Sequence, residues 1–311
     1  MSKFRQQLPQ LGERRFLTDS GLETDLIFND GFTLPDFAAF VLLDEEAGRL
    51  GLDAYFRRHV QLALDVGVGI VLETPTWRAN SDWGTRLGYD ATSLKEANCE
   101  AVELLLAIRE GQGDDGPPVV ISGNVGPRAA SYSATLTMTA DQAFDYHAQQ
   151  VGILAATEVD LVSALTIAYA DEAIGIARAA ITSDVPSVIS FTVETDGQLP
   201  DGMSVNDAIV AVDGATGAAP AYYMVNCAHP THLARSFPDE AISPRLRGLR
   251  ANASRRSHDE LDNSEDLDAG DPAEFGHLMS EFAQRAPNVT ILGGCCGTDI
   301  RHMRAVSLAC V

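Results

Sequence analysis

Lysine is almost missing from this chain: only Lys3 and Lys95 stand against twenty arginines, and the formal net charge is -22. A field of that sign repels phosphate backbones and anionic headgroups, so nucleic acids and membrane surfaces are excluded as natural partners. No apolar run is long enough to cross a bilayer. The N-terminus, Met1-Ser2-Lys3-Phe4-Arg5, has no apolar signal core, which leads to the expectation of a cytoplasmic protein. Cysteine is scarce, and its count of five is odd, which argues against a disulfide scaffold and for a reducing compartment. No low-complexity tract interrupts the 311 residues. The length suits one large α/β domain or two ordinary ones, with a sizeable core.

What is present is an alternation. Short β-rich apolar runs read as strands at Arg15–Asp19, Gly69–Thr74, Val119–Gly123, Val159–Ala164, Ser187–Val193, Ala221–Asn226, Leu246–Ala251 and Val289–Gly293. Amphipathic stretches between them read as helices, among them Asp53–Val66, Ser93–Glu110, Ala140–Ala156, Ala170–Thr182 and Pro272–Arg285. Gly/Pro clusters at Gly111–Pro118 and Asp213–Pro220 mark helix-to-strand junctions, and Ser20–Leu52 reads as a long first loop. Eight βα units in a chain of this length predict a single (β/α)8 barrel over residues 1–311.

The residues with chemistry follow the strands: Asp19, Glu73-Thr74, Asn124, Thr192, Asn226-Cys227 and Cys295-Cys296. In a parallel barrel these ends meet on one face, where barrel enzymes place their sites. Gly293-Gly294-Cys295-Cys296-Gly297 holds two adjacent thiols between glycines that let the backbone turn, and Cys227 ends another strand. Three sulfurs from two strand ends make a candidate Zn²⁺ site with its fourth position open, the mark of a catalytic centre. A vicinal Cys295–Cys296 disulfide is the competing use of the pair. His229 is a rival ligand, made redundant by three sulfurs. Asp19 reads as a substrate carboxylate or a turn cap, Glu73 as a substrate group or a mouth ion pair, and Asn226 as a ligand-orienting or loop-satisfying amide. Thr74 is grouped with the substrate residues. Trp77 and Trp83 fit the barrel mouth or local loop packing. His147, Cys99 and Cys310 read as ordinary structural residues.

These motifs resemble the homocysteine S-methyltransferase family. The stretch Gly293-Gly294-Cys295-Cys296-Gly297-Thr298 is similar to its C-terminal signature, and Val225-Asn226-Cys227 to the segment with the third sulfur. Asp19-Ser20-Gly21-Leu22-Glu23-Thr24 resembles the N-terminal Asp-Gly motif, and Glu73-Thr74-Pro75-Thr76-Trp77 a further block. Gly123-Asn124-Val125-Gly126-Pro127 and Ser190-Phe191-Thr192 fit two more. The resemblance implies a zinc-dependent thiol methyltransferase acting on a small-molecule thiol acceptor and methyl donor. Homocysteine is the leading acceptor and S-methylmethionine the default donor, with methionine as product, and self-association suits the fold. One position departs. The family carries a glutamate after its fourth strand to face the amino group of homocysteine, and here Leu165 stands in that place. Two other readings of the same residues are a zinc hydrolase and a thiol-binding sensor without turnover.

Overall fold

The computed structural model describes residues 2–113, 116–129, 137–235, 243–264 and 266–311. Eight parallel strands form a closed barrel in sequence order: β1 (Phe16–Thr18), β2 (Gly69–Glu73), β3 (Val119–Val125), β4 (Leu161–Ile167), β5 (Ser187–Thr192), β6 (Tyr222–Asn226), β7 (Leu246–Ala251) and β8 (Ile291–Gly294). Closure comes from β1 pairing with β8 through Phe16 opposite Ile291 and Leu17 opposite Leu292. The expected barrel is therefore the observed one.

Several helices start where the sequence supplies oxygen acceptors for their first N–H groups. Asp90 and Thr139 make capping boxes for Ala91–Gln112 and Ala140–Ala155, and Asp271 caps Pro272–Arg285. Helix Glu46–Val66 ends at Gly67, whose left-handed φ of 74° only glycine adopts without strain. The first connection is not the plain loop expected for Ser20–Leu52. It holds a helix at Leu22–Phe28 and two 3-10 turns, and the next helix begins early, at Glu46. Of the expected Gly111–Pro118 junction, residues 114–115 lie outside the described residues.

The period-two alternation of the strands sorts side chains into two apolar layers. One set packs between sheet and helices and includes Ile70, Leu72, Ile121, Val162 and Leu249. The other fills the lumen floor with Phe16, Val71, Val120, Leu161, Val188, Tyr222 and Ile291. Leu8, with Phe4 packed against the same cluster, carries the N-terminal segment onto that floor. Arg5 fastens this segment by donating to the carbonyls of Ala155, Thr157 and Val159. Toward the C-terminal ends of the strands the lumen turns polar, with Glu73, Ser122, Ser163, Ser190, Asn226 and Arg250 all buried. A sealed apolar floor beneath a polar mouth leaves one end of the barrel for chemistry.

Candidate metal centre

Cys227 and Cys295 arrive from the ends of β6 and β8, strands separated by β7. Closing the barrel brings their Cα atoms to 5.5 Å across 68 residues of sequence. Their sulfurs are in direct contact. The contact is between Cys227 and Cys295, so the competing vicinal Cys295–Cys296 pairing is not the one seen. The reason is position, because Cys227 and Cys295 face each other over the lumen. The Sγ atoms of Cys227, Cys295 and Cys296 nonetheless lie within 4.8 Å of one another. Around Zn²⁺ at its usual Zn–S length, sulfurs of a tetrahedral set sit about 3.8 Å apart. The three residues therefore fit that ion once reduced, since the thiolate is the metal-binding form. Among the described residues they are the one group of three or more His, Cys, Asp or Glu with this geometry.

The glycines around the pair divide their work. Gly297 turns the chain at φ 78°. Gly293 and Gly294 instead permit close approach, because a Cβ on either would collide with the hydroxyl of Thr18 or Thr298. Gly21 does the same from the other side: a Cβ there would strike the carbonyl of Cys295. The Asp19-Ser20-Gly21 loop thus packs directly on the cysteine backbone. Cys227 itself sits at φ 56° and Thr166 at φ 64°, left-handed conformations that cost energy for non-glycine residues and cluster at functional sites.

Asn226 explains how both are held. Its Oδ1 accepts from Thr166 N at 2.9 Å and Ser190 Oγ at 2.6 Å, and its Nδ2 donates to Thr166 Oγ1 at 2.8 Å. The same Nδ2 points at Cys227 Sγ, 3.2 Å away, and at Cys295 Sγ, 3.9 Å away. The amide is committed to both backbone and sulfur. From the far side, His258 Nε2 lies 2.5 Å from the carbonyl of Cys227 and its Nδ1 lies 3.1 Å from Glu194 Oε1.

The other anticipated residues separate by their partners. Thr74 spends its hydroxyl on Thr76 Oγ1 at 2.6 Å and Asn124 N at 2.9 Å, tying the exit of β2 to β3. Asp19 pairs with Arg250 Nη2 at 2.7 Å and accepts from Tyr55 Oη at 3.3 Å. Burial nevertheless raises its carboxyl above the ordinary range, against the pull of Arg250. Glu73 faces the hydroxyls of Ser122 and Ser163, but its Oε2 is buried with no hydrogen-bond partner among the described residues. Burial pushes its carboxyl up to about 7, partly offset by Arg250. Glu23, at the mouth, is also raised to about 7 by burial, with the Asp19 charge adding to the effect.

Leu165 belongs to the lumen cluster and is 6% exposed, so an apolar side chain occupies the place the resemblance gives to a carboxylate. Its carbonyl accepts from Trp77 Nε1 at 3.2 Å. Trp77 and Trp83 both stack on the Arg78 guanidinium, 4.1 and 3.9 Å from their ring centres. His229 caps the turn at Pro230–Leu233 and sits outside the sulfur group. His147 pairs with Glu172 in the core.

Arg250, Thr166 and His258 are not singled out by the sequence, and Ser190 enters only through the Ser190-Phe191-Thr192 block. Arg250 was findable, since in Leu246–Ala251 it shares the lumen-facing phase of Gly248 and is the charged residue on that face. Thr166 and His258 carry no such signal, because their roles depend on what neighbouring strands place beside them.

The sequence profile of the homocysteine S-methyltransferase family matches residues 52–310. No curated protein sequence matches the chain. Among solved structures, the homocysteine methyltransferase MmuM from Escherichia coli superposes in its metallated form with a TM-score of 0.71, at 18% identity over 96% of each chain. Its oxidised form gives a TM-score of 0.75 at 17% identity, covering 98% of this chain and 99% of that one.

Proposed function

We infer that this chain, which belongs to the homocysteine S-methyltransferase family, methylates homocysteine to methionine with Zn²⁺ held by Cys227, Cys295 and Cys296. The observation that carries the reading is three sulfurs gathered within 4.8 Å at the polar end of a methyltransferase-family barrel. Family membership makes the chain a methyltransferase and argues against the hydrolase.

A free thiol has a pKa of about 8.5 and is a poor nucleophile at neutral pH, and zinc, when bound, would keep the acceptor sulfur deprotonated. The protein's own groups do the rest. Asn226 orients the sulfurs by donating to Cys227. Glu73 offers its unpartnered Oε2 to the acceptor's ammonium, taking over from the carboxylate that Leu165 replaces. Asp19 is occupied by Arg250 and shapes the site indirectly, and Thr74 holds the β2–β3 edge. The acceptor sulfur attacks the donor methyl group in line, and the bond from that carbon to the donor heteroatom breaks. The acids Asp19, Glu23 and Glu73 near one Arg250 favour a cationic donor, and S-methylmethionine supplies a sulfonium with methionine as its leaving group. The thiolates need a reducing cytoplasm, where MmuM's metallated and oxidised states offer a parallel.

The test is zinc content and turnover of the reduced protein. About one zinc per chain and methionine formed from homocysteine and S-methylmethionine would support the reading. Absence of zinc, or of homocysteine methylation with sulfonium and betaine donors alike, would refute it.

A further inference from the structure

Burying an arginine is costly unless its donors are used, and Arg250 uses only part of its fork. The residue is 5% exposed. Its Nε donates to Gly294 O at 3.2 Å and its Nη2 to Ser20 O at 3.2 Å, and Nη2 also pairs with Asp19 at 2.7 Å. Nη1 is equally buried and has no hydrogen-bond partner among the described residues. The guanidinium is therefore held on one edge and unsatisfied on the other. The locked edge lies against the carbonyl of the residue preceding Cys295, which places the cation beside the sulfur group.

The same lumen holds other buried atoms without partners: Glu73 Oε2, Asn124 Oδ1 and Thr192 Oγ1. Glu73 Oε2 and Asn124 Oδ1, on β2 and β3, can accept, and the Thr192 hydroxyl on β5 can accept or donate, whereas Arg250 on β7 is a charged donor. A lumen with an unmatched donor on one wall and unmatched acceptors on others is complementary to a molecule carrying both signs. A counter-ion role toward Asp19 and Glu73 accounts for the paired edge of Arg250 and leaves Nη1 unexplained.

We propose that Arg250 anchors the carboxylate of the thiol acceptor through Nη1 and is a specificity-determining residue of the site. This rests on the reading that the acceptor sulfur is held at the three cysteines. Arginine suits the task because its planar fork stays fixed by Asp19, Ser20 and Gly294 while one N–H pair remains for the ligand.

The test compares acceptors on the reduced, zinc-loaded protein: homocysteine, 3-mercaptopropylamine, which lacks the carboxylate, and 4-mercaptobutyrate, which lacks the amine. The wild type should prefer homocysteine over 3-mercaptopropylamine in kcat/KM by roughly ten- to hundredfold. In Arg250→Met the loss should fall at least tenfold more heavily on homocysteine and 4-mercaptobutyrate than on 3-mercaptopropylamine, and Arg250→Lys should recover part of it. Equal losses on all three acceptors would make Arg250 structural and overturn the proposal. Should Arg250→Met not fold, wild-type indifference to the carboxylate would overturn it equally. Calorimetry of methionine against 3-(methylthio)propylamine gives a readout independent of turnover. If no thiol is methylated but methionine still binds at least tenfold tighter, the functional reading fails and the anchor stands.

Discussion

The side-chain amide of Asn226 aims its N–H at the sulfur of the next residue, 3.2 Å from Cys227 Sγ, while its oxygen takes hydrogen bonds from Thr166 and Ser190. Asn226→Asp reverses the first interaction, setting an acceptor against a thiolate. Outer groups of this kind are worth about 10–100-fold in metal affinity. The variant should lose zinc to a chelator in that proportion while keeping its far-UV circular dichroism. Zinc retention equal to the wild type would show that the amide serves only Thr166 and the loop.

Cys296 is the sulfur of the group outside the Cys227–Cys295 contact. Cys296→Ser is expected to keep the fold and to lose most bound metal and all measurable methyl transfer. Metal analysis alongside thermal melting checks this, and retained zinc with activity would remove Cys296 from the ligand set.

Glu73 sets a pH dependence whose sign follows from burial. Its carboxyl is raised from an ordinary 4.5 to about 7, so the folded state holds the proton more tightly than the unfolded one. Stability from this group is fully present below about pH 4.5 and is lost as pH rises toward 7, by about 3 kcal/mol at most. Glu73→Gln should lessen the fall in Tm between pH 5 and pH 8, leaving the part that Glu23 and Asp19 contribute. A slope unchanged from the wild type would mean Glu73 is ionised throughout.

Restoring a carboxylate with Leu165→Glu places a charge at a buried position of the lumen's apolar cluster. We expect a cost of roughly 2–4 kcal/mol in urea unfolding and no improvement in KM for homocysteine. A lower KM would show that position 165 still governs the amine and that Glu73 does not.

The barrel was legible because its strands announce themselves in two ways: apolar runs of five to seven residues, and Gly/Pro or Asp/Ser signals where each helix begins or ends. Ala170–Thr182 and Pro272–Arg285 fall at the anticipated residues. β4 shifted, from Val159–Ala164 to Leu161–Ile167, because a register irregularity between Ala164 and Ile167 carries the strand past the point where its pattern stops. The helix at Leu22–Phe28 was missed because seven residues offer too little periodicity to register, and no side chain caps its start.

By itself, the sequence determined the eightfold alternation, the polar residues at the strand exits and the three cysteines bound for one end. All of that is local, set by side-chain period and backbone preference. Only the closed barrel decided which of those residues meet. It brought Cys227 against Cys295, turned Asn226 toward sulfur, paired Asp19 with Arg250 and left Nη1 of that arginine and Oε2 of Glu73 without hydrogen-bond partners among the described residues. Such pairings span up to 231 residues and depend on shear and register around the ring, which no short stretch of chain encodes.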